Sequence, residues 1–175
     1  ESIFVNSRHS DTAIQDTATE YGFGYQTGVQ LPFEHDGYMP TPERREDRHR
    51  QNPEAFPFGG WYPGDNVNVA VGQGEVLATP LQLANAYTVF ANAGSRWAPN
   101  IVERIVDHDG GAVLNFGPRQ AGEVEIDPAF RNRVLRGLVG VVADEEGTAY
   151  WAFNSEATDG TYFPHDQYPL AGKTG

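Results

Sequence analysis

The sequence contains no cysteine, which excludes disulfides, zinc–thiolate centres and thiol nucleophiles. Lysine is almost as scarce. Of twelve Lys and Arg residues only Lys173 is a lysine, so any chemistry that needs a primary amine has one candidate. Positive charge is in short supply as well: 24 acidic residues against 12 basic ones give a formal net charge of −12. That balance argues against a nucleic-acid partner, because phosphate binding needs clustered Lys and Arg. No apolar run reaches the roughly 18 residues needed to cross a bilayer. No signal peptide opens the chain, so a membrane anchor, if there is one, is expected upstream of Glu1.

What is present is ordinary globular composition: 175 residues, 39% hydrophobic and 12% aromatic, enough for one core. The ends suggest a partial domain spanning 1–175. The chain opens on Ser2-Ile3-Phe4-Val5 with no preceding turn, and stops inside Pro169-Leu170-Ala171-Gly172-Lys173-Thr174-Gly175, which reads as a strand.

Between these ends, Ile14, Ala18 and Tyr21 share one helical face, and Gly22 is placed to end that helix. Residues 25–40 read as loop and short strand, and residues 41–60 as an exposed insertion whose mixed charges form a solvated face. Asn66-Val67-Asn68-Val69-Ala70-Val71 alternates with period two and predicts a strand. Thr79-Pro80 predicts a helix start, with Leu83, Ala86, Tyr87 and Phe90 on its apolar face and Gly94 closing it. Residues 101–116 predict a hairpin around Asp109-Gly110-Gly111. Asp127-Pro128 predicts another helix, with a Val134, Leu135, Leu138, Val142 stripe and a stop at Gly147. The order of helices and strands gives an α+β fold, with helices packed on a mainly antiparallel sheet.

Most polar clusters read as structure. Gly72-Gln73-Gly74 lacks the third glycine of a dinucleotide loop and fits a tight turn. His9, His35, His49, His108 and His165 are scattered among acidic and turn residues, with no metal-ligand spacing. Glu145 and Glu146 are adjacent on a helix and point different ways, so they read as surface charge. Tyr150, Trp151 and Phe153 read as core or groove wall.

The remaining motifs carry a resemblance. Tyr21-Gly22-Phe23-Gly24-Tyr25-Gln26-Thr27-Gly28-Val29-Gln30-Leu31-Pro32 resembles the segment that follows the second active-site motif in class B penicillin-binding proteins. Glu34, Gly37 and Pro40 continue that pattern, as do Pro63-Gly64-Asp65 and the block from Val71 to Ala84. Ala91-Asn92-Ala93-Gly94, Gly147-Thr148-Ala149 and Ala171-Gly172-Lys173-Thr174-Gly175 complete it, in family order over nearly the whole chain. The Tyr-Gly-Phe-Gly and Trp61-Tyr62-x-Gly64-Asp65 spellings are most similar to the elongation-type, penicillin-binding protein 2 group.

The resemblance implies a penicillin-binding/serine β-lactamase-like transpeptidase fold, incomplete here. It implies a membrane-anchored, extracytoplasmic D,D-transpeptidase that cross-links peptidoglycan stem peptides ending in D-Ala-D-Ala through a serine acyl-enzyme and binds β-lactams. A membrane glycan polymerase is the implied protein partner, and no cofactor or metal is implied. Lys173 is then catalytic, and Lys173, Thr174 and Gly175 bind substrate: an ammonium beside the nucleophile, a hydroxyl for the peptide carboxylate, and a residue without a side chain where substrate backbone lies close.

The departure from the family is as informative as the match. Ser-x-x-Lys cannot occur, because Leu170 stands three residues before the only lysine. The isolated 175 residues are therefore expected to be inactive, and they are expected to fold poorly alone because the Lys173 strand lacks its neighbours and leaves unpaired edges. The alternatives are a non-catalytic β-lactam-sensing or scaffold domain of the same fold, and a serine β-lactamase, against which the long region between Thr27-Gly28 and Gly72-Gln73-Gly74 argues.

Overall fold

The computed structural model describes residues 12–155, 162–165 and 167–174. The expectations for Ser2–Val5 and Gly175 lie outside the described residues. The chain divides into two compact units, residues 1–124 and 125–175.

In the first unit, α1 (Ala13–Glu20) ends as expected at Gly22, whose φ of +100° suits a residue without a Cβ. Gly22 N–H donates to Thr19 O and Phe23 N–H to Ala18 O, which satisfies carbonyls the helix end leaves open. The expected apolar face is only half-buried, and the deeply buried residue is Gln15. Its Nε2 donates to Asn66 Oδ1 at 3.0 Å, a polar contact that hydropathy periodicity does not register.

Residues 41–60 are not merely a solvated insertion. Thr41 caps α2 (Pro42–Gln51) through its side chain to Arg44 N–H, with Pro42 in the first turn. One side of α2 is exposed, at Glu43, Glu46, Asp47 and Arg50. The other side carries Arg45 to Asp65 (2.8 Å) and Glu75 (3.2 Å), and Arg48 to Glu75 (3.1 Å). Arg45 also lies over the Trp61 ring at 4.7 Å, and Arg48 over Phe56 at 3.9 Å and Tyr38 at 4.9 Å.

The strand expected at Asn66–Val71 is a helix, α3 (Pro63–Ala70). Pro63 presets the first helical φ, and Asp65 accepts the Tyr62 N–H at 2.8 Å, so helix-start chemistry overrides a short alternation. Of the three valines only Val69 is buried, which also removes the one-sided strand face. Gly72 and Gly74, with φ of +74° and +72°, form the expected tight turn, here between two helices.

Helix α4 (Pro80–Ala91) starts as read: Thr79 Oγ1 accepts from Gln82 N–H, and the Gln82 side chain accepts from Thr79 N–H. Its buried face is Gln82, Asn85, Ala86 and Val89, whereas Leu83 and Tyr87 are exposed. The predicted face is displaced because a polar anchor, not hydropathy, sets the helix rotation. Gln82 Nε2 donates to the carbonyls of Tyr25 (2.6 Å) and Asp36 (2.8 Å), tying the 25–37 loop to the helix start. Glu34 braces the same loop, accepting from Thr27 N–H, Thr27 Oγ1 and Gly28 N–H. A single antiparallel bridge, Tyr38 with Leu77, is the only pairing formed near residues 25–40 among the described residues.

Two antiparallel pairs finish this unit. Strand β1 (Ser95–Trp97) pairs with β4 (Gln120–Glu123), and β2 (Arg104–Val106) pairs with β3 (Ala112–Asn115). The second pair is the expected hairpin, with Gly110 at φ +83° and Asp107 Oδ1 accepting from Asp109 and Gly111 N–H. Val29, Met39, Val69, Ala86, Val89, Ala98 and Val124 form the buried apolar set of the unit.

The second unit is built on α5 (Pro128–Ala143), capped by Asp127 through Ala129 N–H (2.7 Å) and Phe130 N–H (3.1 Å). Its stripe runs as expected along Val134, Leu135, Leu138 and Val142, of which Val142 is the buried member. A short helix, α6 (Tyr150–Asn154), follows the turn after α5. The strand expected to carry Lys173 is not formed among residues 162–165 and 167–174. A strand needs a neighbour to pair with, and this segment docks instead through Gly172 N–H on Leu138 O.

Candidate active-site wall

All three residues expected at the site fall in the second unit, and two of them, Lys173 and Thr174, are described. They are held by the end of α5. As α5 finishes, Asp144 N–H donates to Gly140 O, Gly147 N–H to Asp144 O, and Ala149 N–H back to Val141 O. This fold-back has room only for glycine at 147. A Cβ there would stand 2.3 Å from Gly140 O and 2.5 Å from Val141 O, well inside contact distance. The turn then presents Thr148. Gly172 N–H meets Leu138 O at 2.9 Å one turn earlier on the same helix, which lays Gly172-Lys173-Thr174 alongside.

The result is a direct contact between two motifs: Thr148 Oγ1 and Thr174 Oγ1 are 2.8 Å apart, a hydroxyl–hydroxyl hydrogen bond. Lys173 is exposed and its Nζ folds back on the Thr174 carbonyl at 2.5 Å. An exposed ammonium and a neighbouring hydroxyl on one short segment are groups of the kind that can donate to a carboxylate. Sequence reasoning did not pair Thr148 with Thr174. Its signal was the Gly147-Thr148-Ala149 spelling, which the resemblance includes without assigning it chemistry.

Tyr150, Trp151 and Phe153, expected as core or groove wall, all lie on α6. Tyr150 and Trp151 meet edge to face, with Trp151 exposed, and Phe153, Phe163 and His165 also meet edge to face in sequence, at 5.4 and 5.0 Å. His165 Nε2 lies 3.2 Å from Phe153 O. Asn154 Nδ2 donates to Val142 O and Tyr150 O, closing α6 against α5. Among the described residues no cluster of His, Asp or Glu could hold a metal ion, and His108 lies 3.2 Å from Asp109 on the exposed hairpin turn.

The model of the penicillin-binding protein transpeptidase domain matches residues 4–175. The chain belongs to that family. Among relatives of the family, peptidoglycan D,D-transpeptidase MrdA of Escherichia coli K12 is 29% identical over 156 residues, covering 89% of this chain and 22% of that protein. The Haemophilus influenzae MrdA is 30% identical over 159 residues, covering 89% and 21%. The chain thus spans less than a quarter of the length of these relatives.

Solved structures of the family give the same picture. Pseudomonas aeruginosa PBP2 in complex with WCK 5153 aligns with a TM-score of 0.61 at 32% identity, over 80% of this chain and 28% of that one. Helicobacter pylori PBP2 aligns with a TM-score of 0.63 at 25% identity, over 85% and 25%. The helices and antiparallel pairs described above are therefore part of a penicillin-binding transpeptidase fold. Among the described residues no helix is long and apolar enough to cross a membrane.

Proposed function

We propose that this chain is the part of a peptidoglycan D,D-transpeptidase that recognises the terminal carboxylate of a D-Ala-D-Ala stem peptide. Lys173 supplies positive potential beside the acylated serine, Thr174 donates to the carboxylate, and Gly175 leaves space for the peptide backbone. The observation that carries this reading is the adjacency of the single lysine to an exposed-side hydroxyl on a segment docked along α5. The MrdA relatives support the reaction class.

Acylation splits one amide exchange into two steps. The serine attacks the penultimate D-Ala carbonyl, terminal D-Ala leaves, and the amine of a second stem peptide takes the acyl group. β-Lactams enter as acylating analogues that carry the same carboxylate. The nucleophile lies outside these 175 residues, since Ser-x-x-Lys does not occur among them. We place the protein at the extracytoplasmic face of the membrane, with a glycan polymerase as its partner. Support comes from related structures, one a complex between H. pylori PBP2 and MreC, another a peptidoglycan synthase complex that coordinates polymerization and crosslinking.

The test is release of D-Ala from a pentapeptide substrate by the full-length protein. Lys173→Ala is expected to reduce the rate at least about a hundredfold, the scale of losing a charge-stabilising group at a reacting centre. An undiminished rate in that variant would remove Lys173 from the mechanism. Binding of β-lactam without release of D-Ala would favour the sensing or scaffold reading.

A further inference from the structure

We propose that Thr148 is a positioning residue that fixes the direction of the Thr174 proton. The inference rests on the reading of Thr174 as the donor to the substrate carboxylate. A threonine hydroxyl has one hydrogen to give and two lone pairs to receive. If Thr174 gives its hydrogen to a carboxylate, the 2.8 Å contact with Thr148 can only run the other way, with Thr148 as donor. The two hydroxyls then form a chain, Thr148 O–H to Thr174 O–H to carboxylate. The first bond occupies a lone pair of Thr174, turns its hydrogen outward, and polarises it.

The local build is consistent with that purpose. Thr148 is delivered by the Gly147 turn, where any larger residue would meet three backbone carbonyls of α5 and its end. Thr174 is delivered by Gly172 on Leu138 O of the same helix. Both hydroxyls are thus referenced to one rigid element, so the hydrogen bond between them holds without any bound ligand. Each is tethered to backbone within a few residues of the other's tether, Leu138 and Val141 being one turn apart.

The test compares acylation of the full-length protein by benzylpenicillin and by its methyl ester, which differ only in the carboxylate. The readout is the ratio of the two second-order rates. Thr148→Val removes the hydroxyl at nearly constant shape, and Thr148→Ser restores it. The ratio is expected to fall roughly tenfold in Thr148→Val, the scale of one charge-assisted hydrogen bond weakened but not abolished. It should return to within about twofold of wild type in Thr148→Ser. Thr174→Val should lower the ratio further, and adding Thr148→Val to it should change the ratio no more, because Thr148 acts only through Thr174.

A ratio that falls in Thr174→Val but holds in Thr148→Val overturns the positioning role and leaves the reading of Thr174 intact. Equal losses on both substrates in Thr148→Val, with the ratio held, mean a packing role and also overturn it. A ratio untouched by Thr174→Val overturns the reading of Thr174 and the positioning role with it.

Discussion

Replacing Gln82 with leucine should free the 25–37 loop from the start of α4. Gln82 is 2% exposed and makes three side-chain hydrogen bonds: to Tyr25 O at 2.6 Å, to Asp36 O at 2.8 Å, and from Thr79 N–H at 2.8 Å. Leucine fills similar volume and leaves all three partners unmatched. A buried polar group without a partner costs about 1–3 kcal/mol. Tyr25 and Asp36 are exposed residues whose carbonyls can regain some water, so the sum is discounted to about 2–4 kcal/mol. By hydrogen exchange, protection of residues 25–37 and 79–86 should drop roughly 30- to 1000-fold, the same quantity as an opening constant. Gln82→Glu sharpens the test. It keeps the acceptor for Thr79 N–H but turns an anionic oxygen toward two carbonyl oxygens, so it should be at least as damaging at neutral pH and partly recover as the carboxyl protonates. Unchanged protection of 25–37 in Gln82→Leu would refute the claim that this side chain is the tie.

Gly147→Ala should disorder the segment that carries Thr148, because its Cβ meets Gly140 O at 2.3 Å, and exchange protection of residues 141–154 should fall sharply while Gly117→Ala, at an open position, changes little. Asp127→Ala removes two accepted N–H bonds at the start of α5 and should destabilise that helix by about 1 kcal/mol, read from exchange of residues 128–133. Burial pushes the Asp65 carboxyl up, but the Arg45 hydrogen bond, the Tyr62 N–H and the Arg45 charge outweigh it and hold it below its ordinary value. A depressed carboxyl contributes stability above its unfolded pKa of about 3.9 and loses it as pH falls further. Protection of residues 61–70 should therefore decline below about pH 4, and Asp65→Asn should flatten that decline.

Helix starts were the most legible feature of this sequence, because they are local chemistry. Thr79-Pro80 and Asp127-Pro128 open α4 and α5 as their residues dictate, and Asp109-Gly110-Gly111 turns the β2–β3 hairpin. The same logic explains why the segment expected as a strand at Asn66–Val71 is a helix. Pro63 and Asp65 carried a helix-start signal that was outweighed by three alternating valines, and the structure follows Pro63. Buried faces were less legible. Gln15 is the buried residue of its helix and Gln82 is nearly as deep as Val89 in α4, because each has a partner distant in sequence, Asn66 for one and Tyr25 and Asp36 for the other. Residues 41–60 looked like solvated charge for a similar reason, since Arg45 and Arg48 find Asp65 and Glu75 only in the folded chain.

At the site, Lys173 and Thr174 could be named from their motif, and Thr148 could not be given a role. Its contact with Thr174 joins positions 26 residues apart, and it depends on how the α5 end folds back.

The most direct test of the central claim is to treat the full-length protein with benzylpenicillin and map the adduct by peptide mass spectrometry. The account predicts one adduct, on a serine three residues before a lysine and N-terminal to Glu1, formed much more slowly in Lys173→Ala. Absence of any adduct, or an adduct on a residue within this chain, would contradict it.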